Sequence, residues 1–200
     1  GHAGRVGFAE NRADSEFELG RFSTSVKYMK AALDEVPPEL GGFRVSRTAK
    51  LAAFLAYAGD FEAADDAVSS AASIMLGLRM DRWRPDSRNL LKYLLDEARA
   101  AVAQSKGNLV EAEALYRRAI ETNSKMSFGK AVKWGTFTRI ELAGNLTRQG
   151  RLLEAENALR ESLGSRLADQ TRTPFVAKAL GRMSGVLYEQ GRYADAEALA

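Results

Sequence analysis

The stretch Leu180-Gly-Arg-Met-Ser-Gly-Val-Leu-Tyr-Glu-Gln-Gly-Arg-Tyr-Ala-Asp-Ala-Glu-Ala-Leu199 decides the fold. Leu180, Met183 and Leu187 recur at the spacing of one helix face, and Gly191 interrupts the run. The glycine is followed by a polar residue, Arg192, and a large apolar one, Tyr193. Ser184 stands seven residues before it and Ala196 five after it. Small residues on both sides of a glycine have a direct reading. Two helices joined by a short turn approach closely only where side chains are small, and glycine ends the first helix by taking the left-handed conformation cheaply. The unit is an antiparallel helical hairpin.

Working outward, the same pattern occurs at Glu18-Leu-Gly-Arg-Phe22, Tyr57-Ala-Gly-Asp-Phe61, Ser105-Lys-Gly-Asn-Leu109 and Arg148-Gln-Gly-Arg-Leu152. With the five glycines in register, the position seven before holds Ala13, Ala52, Ala100, Ala143 and Ser184. The position five after holds Ser25, Ala64, Ala112, Ala155 and Ala196, and the position twelve after holds Ala32, Ala71, Ala119 and Ser162. All fourteen are small. The apolar residue after each turn, Phe22, Phe61, Leu109, Leu152 or Tyr193, is placed to plug the base of its hairpin. First helices are expected near 4–19, 43–58, 87–106, 130–149 and 174–190, and second helices near 21–35, 61–77, 109–121, 151–163 and 192–200.

This pattern resembles the tetratricopeptide repeat over nearly the whole chain, in the long form found in kinesin light chains and in many bacterial sensor and scaffold proteins. Glycine-to-glycine spacings of 39, 48, 43 and 41 exceed the usual period of about 34 residues, which asks for longer helices or loops. Pro37 stands where the repeat commonly closes with proline. The resemblance implies an all-α fold, a right-handed α-α superhelix of about five hairpins. It predicts one helical-repeat domain over residues 1–200, with repeats near 4–36, 43–78, 87–122, 130–164 and 174–200. The last repeat reads as truncated, so the expectation is a fragment of a longer protein. Apolar surface left on that repeat predicts a homodimer through the C-terminal end.

Composition narrows the function. The 200 residues contain no cysteine and one histidine, His2, beside the first residue. Metal clusters built on cysteine or histidine are therefore not expected, nor is a histidine-based catalytic site. No run approaches the roughly 18 apolar residues of a spanning helix. The net charge of +3 arises from 29 basic and 26 acidic residues with the signs interleaved, which supports neither a nucleic-acid slab nor a membrane-binding one. Absence of cysteine suits either an exported or a cytosolic compartment. No nucleophile elbow or phosphate-binding loop is present, and Ser184 occupies a close-packing position. The adjacent acids Asp65-Asp66 and Asp96-Glu97 point to different sides of a helix and read as solvated. Asn145-Leu-Thr147 matches a glycosylation acceptor but falls inside a helix. The expectation is no catalysis, no cofactor and no metal.

Two segments stand out. Lys125 to Arg139 carries four cations and no acid around Phe128, Trp134 and Phe137, a mixture that can bind a carboxylate-rich peptide, or nucleic acid by phosphate contact and stacking. The alternative is an inter-repeat loop whose aromatics pack on neighbouring repeats. Arg79-Met-Asp-Arg-Trp-Arg-Pro85 sets three arginines around Trp83, either to anchor a partner or to cover a local core.

In tetratricopeptide arrays the first helices line a concave groove that reads peptides. Carried over by register, the resemblance places there Asn11 and Asp14, then Lys50, Ala53 and Tyr57, then Glu97 and Ala101. Trp134, Phe137, Glu141 and Arg148 follow in the fourth copy, and Lys178, Arg182 and Tyr188 in the fifth. The carboxylate-clamp subtype is only partly matched, because Ala53 and Gly185 replace its asparagines. The expected function is a non-catalytic interaction scaffold for a peptide or partner domain. The alternative is the regulatory array of a larger bacterial protein with a caspase-like peptidase or signalling domain beyond residue 200.

Overall fold

A computed structural model of the chain describes residues 2–127, 130–167 and 174–199, with side chains described over 7–127, 135–164 and 176–199. Contacts divide the chain into two compact units, Gly1–Asn108 and Leu109–Ala200. The first holds α1 (His2–Glu18), α2 (Phe22–Asp34), α3 (Gly41–Tyr57), α4 (Phe61–Gly77), a short 3-10 turn (Met80–Arg82) and α5 (Pro85–Ser105). The second holds α6 (Leu109–Ser124), α7 (Lys130–Arg148), α8 (Leu152–Leu167), α9 (Pro174–Glu189) and α10 (Tyr193–Glu197). Every regular element among the described residues is helical, and among them no helix is long and apolar enough to cross a membrane.

Five glycines, Gly20, Gly59, Gly107, Gly150 and Gly191, have positive φ, between 72° and 88°. At each, the amide after the glycine donates to the carbonyl five residues earlier: Arg21 to Glu16, Asp60 to Leu55, Asn108 to Ala103, Arg151 to Leu146, Arg192 to Leu187, all at 2.9–3.0 Å. The glycine amide itself bonds three residues back. This double closure satisfies the carbonyls a helix end otherwise orphans, and it needs a left-handed residue that only glycine takes without strain. The chain therefore reverses at the same point of each repeat.

The small residues then do what their spacing predicts. Of the fourteen, all but Ser184 are buried, at 5% exposure or less. Ser184 is half-buried and its hydroxyl donates to the Ala196 carbonyl of the facing helix at 2.9 Å. In the first unit α1 packs on α2, α3 on α4, α2 on α3, and α3 on α5; in the second, α6 packs on α7, α7 on α8 and α9, α8 on α9, and α9 on α10. A first helix thus lies between its own partner and the preceding repeat, which is why its alanines are buried on two sides. Met29, Leu51, Phe54, Leu55, Leu95 and Val102 fill the first unit around the alanines. Ile140, Leu142, Leu146, Leu159 and Val186 fill the second.

Element ends differ from expectation where a local interaction extends a helix. α5 begins two residues earlier than expected, at Pro85, whose fixed φ suits the first helical position. α3 also begins early because Gly41 and Gly42 belong to it. A Cβ on Gly41 would meet Leu78 Cδ2, and one on Gly42 would lie 2.9 Å from the Trp83 ring. Trp83 therefore covers the start of α3, the local-core role of the two offered for it. Asp96 departs from its reading as solvated: it is buried, with Arg99 3.8 Å away. Asn145 is fully buried and donates to the Leu109 carbonyl at 3.1 Å, so it is no glycan acceptor.

A second device ties successive repeats. In the fourth, Gln149, just before the turn glycine, donates to Glu113 of the preceding repeat at 3.1 Å, and Arg151, just after it, also bonds Glu113. Arg151 grips Glu154 of its own helix at 2.6 and 2.7 Å. The fifth repeat duplicates this residue for residue. Gln190 reaches Glu156 at 3.0 Å and the Leu152 carbonyl at 3.4 Å, while Arg192 joins Glu156 at 3.0 Å and Asp195 at 2.9 Å. Lys106 on Asp65 is a simpler version between the second and third repeats. Between the first and second repeats Val26 fills the acid's position, and packed rings serve instead: Phe17 stacks on Phe54 and meets Phe22 at a tilt and Tyr57 edge-on, with centroids 4.5–5.4 Å apart.

These clasps perturb their carboxylates. Hydrogen bonds from Arg160 and Gln190, with Arg192 adding to them against the effect of burial, hold Glu156 down at about 2. At Glu113 burial pulls upward, but hydrogen bonds from Arg151, Arg117 and Gln149 outweigh it and lower the value. A carboxyl whose folded value is depressed stabilises the fold above its ordinary value of 4.5 and loses that contribution as the pH falls toward about 2. Glu156→Gln is expected to destabilise the chain at pH 7 by about 1–3 kcal/mol and to flatten its acid sensitivity between those limits. Urea unfolding followed by circular dichroism at stepped pH checks it; an unchanged acid profile contradicts the assignment.

Candidate functional site

The residues predicted for the groove fall into two sets, one in each unit. In the first, α3 meets α1 through charge. Arg47 bonds Glu10 at 2.8 Å, and Lys50 lies 3.3 Å from Glu10 and 2.8 Å from Asp14. Two cations face two carboxylates, so the cluster is neutral. Tyr57 is half-buried in the aromatic cluster with Phe17 and Phe22, and Ala101 is core. Of the first-unit residues expected in the groove, Asp14, Lys50 and Tyr57 are engaged with neighbouring helices.

The second unit is different. Phe137, Glu141, Gly144 and Arg148 follow one another on α7 at intervals of four, three and four, a single stripe of the helix. Lys178 and Arg182 form the matching stripe on α9, which packs against α7. Lys178 Nζ sits 2.9 Å from Glu141 Oε1 and 4.7 Å from the centre of the Phe137 ring. The Arg182 guanidinium lies 3.3 Å from Glu141 Oε2. Gly144 makes room for it, since a Cβ there would fall 2.2 Å from Arg182 Nη1. Glu141 is 2% exposed. It was expected to contact a partner from the groove; the structure buries it beneath two cations, where it orients them.

The balance of charge decides what this arrangement can do. Among the described residues Lys178 and Arg182 share one carboxylate, so the cluster carries an excess positive charge, held next to an aromatic face. The two cations are about one-third exposed, at 28% and 37% of their side chains. The buried carboxylate holds both heads and the Phe137 ring faces that of Lys178, so little rotamer freedom is left to lose. Such a pair suits a carboxylate. Arg148 is exposed further along the same stripe.

Other predicted residues lie elsewhere. Tyr188 is six residues beyond Arg182, about 9 Å along the axis and well round the helix. It is 64% exposed and packs edge-on against Tyr193 at 5.1 Å. The Trp134 side chain and Phe128 lie outside the described residues. In the basic segment, Lys125 pairs with Glu121 at 2.7 Å, Arg139 lies 3.5 Å from Glu161, and Thr136 and Thr138 are buried. Among the described residues its two cations, Lys125 and Arg139, each lie beside an acid. Arg47, Glu10 and Gly144 escaped sequence reasoning; the signal for the last is its place one turn after Glu141.

Comparison with known proteins bears on the fold. No protein-family model matches the sequence, and no curated protein matches it. Solved structures do. A signal transduction ATPase with numerous domains (STAND) carrying a tetratricopeptide-repeat sensor, from Pyrococcus horikoshii, superposes with a TM-score of 0.68 at 14% identity over 96% of this chain. The chain has a tetratricopeptide-repeat fold. It spans 28% of the length of that ATPase. The kinesin light chain nearly identical TPR-like repeats of Podosopora anserina match 98% of the chain at 17% identity, with a TM-score of 0.57 and 91% of their own length covered. BtubC (BKLC) from P. vanneervenii matches 92% at 19% identity and a TM-score of 0.62, over 70% of its length. In this fold α7 and α9 are the first helices of their repeats, so the Phe137, Lys178 and Arg182 cluster lies on first-helix surface.

Proposed function

We propose that the chain is a non-catalytic interaction module that takes an acidic peptide segment on the α7 and α9 face, with Lys178 and Arg182 meeting its carboxylates and Phe137 and Arg148 flanking them. The observation that carries this reading is the pair of cations, each about one-third exposed, over one buried carboxylate. A cluster with equal charges, such as that of Arg47 and Lys50 with Glu10 and Asp14, offers no comparable excess. Recognition would use a surface formed before the ligand arrives, so little ordering opposes binding.

A second reading is favoured by one observation, the likeness to the sensor of the STAND ATPase. There the same face would read a ligand on behalf of a signalling domain elsewhere in a longer protein. The reading frame that encodes this chain decides it: a nucleotide-hydrolysing or other effector domain in the same frame supports the sensor role, and its absence leaves the stand-alone module.

The proposed face is tested by fluorescence anisotropy with a labelled Glu-rich dodecapeptide and a Lys-rich control of equal length. The Glu-rich peptide alone is expected to bind, with affinity falling as salt is raised. Lys178→Ala with Arg182→Ala should weaken it at least about tenfold, the loss of one to two charge-assisted hydrogen bonds, while helicity is retained. Equal binding of both peptides, or an unchanged affinity in the double variant, overturns the proposal.

A further inference from the structure

The surplus charge of the chain is localised. Residues 79–92 hold five cations, Arg79, Arg82, Arg84, Arg88 and Lys92, and two acids, Asp81 and Asp86, a net of +3. The whole chain is also +3, with 29 basic and 26 acidic residues, so 24 of each sign remain elsewhere and cancel. Arg84, Arg88 and Lys92 follow one another at intervals of four from the cap of α5, a single stripe. Arg79, Arg82, Arg84 and Lys92 are exposed. Among the described residues the ion pair these cations make is that of Arg82 with Asp81, 4.0 Å apart and open to water. Trp83 is spent on the start of α3, but the arginines around it are not.

The same end of the first unit carries protruding apolar side chains. Leu76, near the end of α4, is 87% exposed, Phe43 in the first turn of α3 is 58%, and Leu40 at the cap of α3 is 43%. They converge because Leu78 sits against Gly41 and Trp83 against Gly42. Leu40 and Phe43 flank those two glycines in sequence, while Leu76 and Arg79 flank Leu78. Residues 67–77 of α4 bear no charge, and α3 contains no acid. Arg47 of α3 covers one face of the Phe43 ring, 5.4 Å from its centre. Exposed acids stand at the margin: Asp34 and Glu39 on the approach to Leu40, and Asp81.

Cations and large apolar side chains on one surface ask for a partner that offers both anions and hydrocarbon. A nucleic acid presents phosphates but nothing to cover Leu76. A folded acidic protein needs a hollow fitted to each protruding side chain, whereas the boundary of a bilayer yields to them. Arginine suits that boundary, since its stem lies along hydrocarbon while its head stays among the headgroups. We infer that this end of the first unit docks on an anionic lipid bilayer: Leu40, Phe43 and Leu76 enter the boundary between headgroups and acyl chains, and Arg79, Arg82 and Arg84 meet the lipid anions. The surface belongs to the other unit from the α7 and α9 cluster and does not rest on the peptide-binding reading.

Cosedimentation with vesicles tests it. The chain is expected to bind phosphatidylcholine vesicles that contain about one-third phosphatidylserine, to leave pure phosphatidylcholine vesicles unbound, and to bind less as salt is raised. Arg79→Ala with Arg84→Ala should weaken binding about tenfold or more, since each cation near an anionic surface is worth about fivefold. Phe43→Ser with Leu76→Ser leaves the charge unchanged and should also weaken binding about tenfold or more. Circular dichroism should show full helicity in both variants, because all four side chains are exposed. No binding to the anionic vesicles, equal binding to both kinds, or an unchanged affinity in either variant would overturn the inference. A single-stranded oligonucleotide that binds the chain and the Phe43→Ser, Leu76→Ser variant alike, where vesicles bind neither, would assign the patch to a phosphate polymer instead.

Discussion

The structure depends on a backbone event repeated five times: a helix stops at a glycine in the left-handed conformation, and the amide beyond it closes on the carbonyl five residues before. Everything else is timed from that point. Because the reversal always falls at the same residue, positions seven before and five after the glycine face one another across each hairpin that lies within one unit. The helices can approach only if both are small. Closure costs little, since the turn satisfies its own polar groups and needs neither a buried loop nor a disulfide.

Close approach has a consequence for stability. Alanine buries little apolar surface per residue, so a stack of alanine-lined hairpins gains less from burial than a core of large side chains. Polar clasps supply part of the difference, and they do so at the turns, where backbone and carboxylates already converge. Glu113 and Glu156 are charged and nearly buried, an arrangement that is stable only because three donor residues meet each of them. At the first junction the acid is missing and aromatic rings take over. The same logic produces the cation pair on α7 and α9. Glu141 is buried between two first helices and draws in Lys178 and Arg182, but one carboxylate neutralises only one of them. Among the described residues this leaves a net positive charge, and it is a by-product of packing.

The repeat was legible because it is written in residue types with few alternatives. Glycine at positive φ and a small residue at a helix crossing have few substitutes, so five aligned glycines and their small neighbours located the helices among the described residues to within a few residues. The site was less legible, for a physical reason. Register from the glycine tells which face a residue occupies but not what it meets there. Lys50 and Lys178 look alike in sequence; one is matched by Glu10 and Asp14 and the other shares Glu141 with Arg182. Glu141 reads as a surface acid because nothing in a single helix reveals the cations brought to it by another, Lys178 and Arg182 on α9. The clasps could have been found: Gln-Gly-Arg recurs in two copies, and an acid stands six residues past four of the five glycines.

The most direct test of the glycine turn as the organising element is native-state hydrogen exchange at the five amides that follow it, those of Arg21, Asp60, Asn108, Arg151 and Arg192. Each belongs to a residue at a chain reversal, where exchange is ordinarily fast. If the closure holds the hairpins, all five are protected to the level of the adjoining helices and are released with them in denaturant. Exchange of these amides at loop rates, with the flanking helices still protected, would show that the helices stack without the turns and would contradict the account.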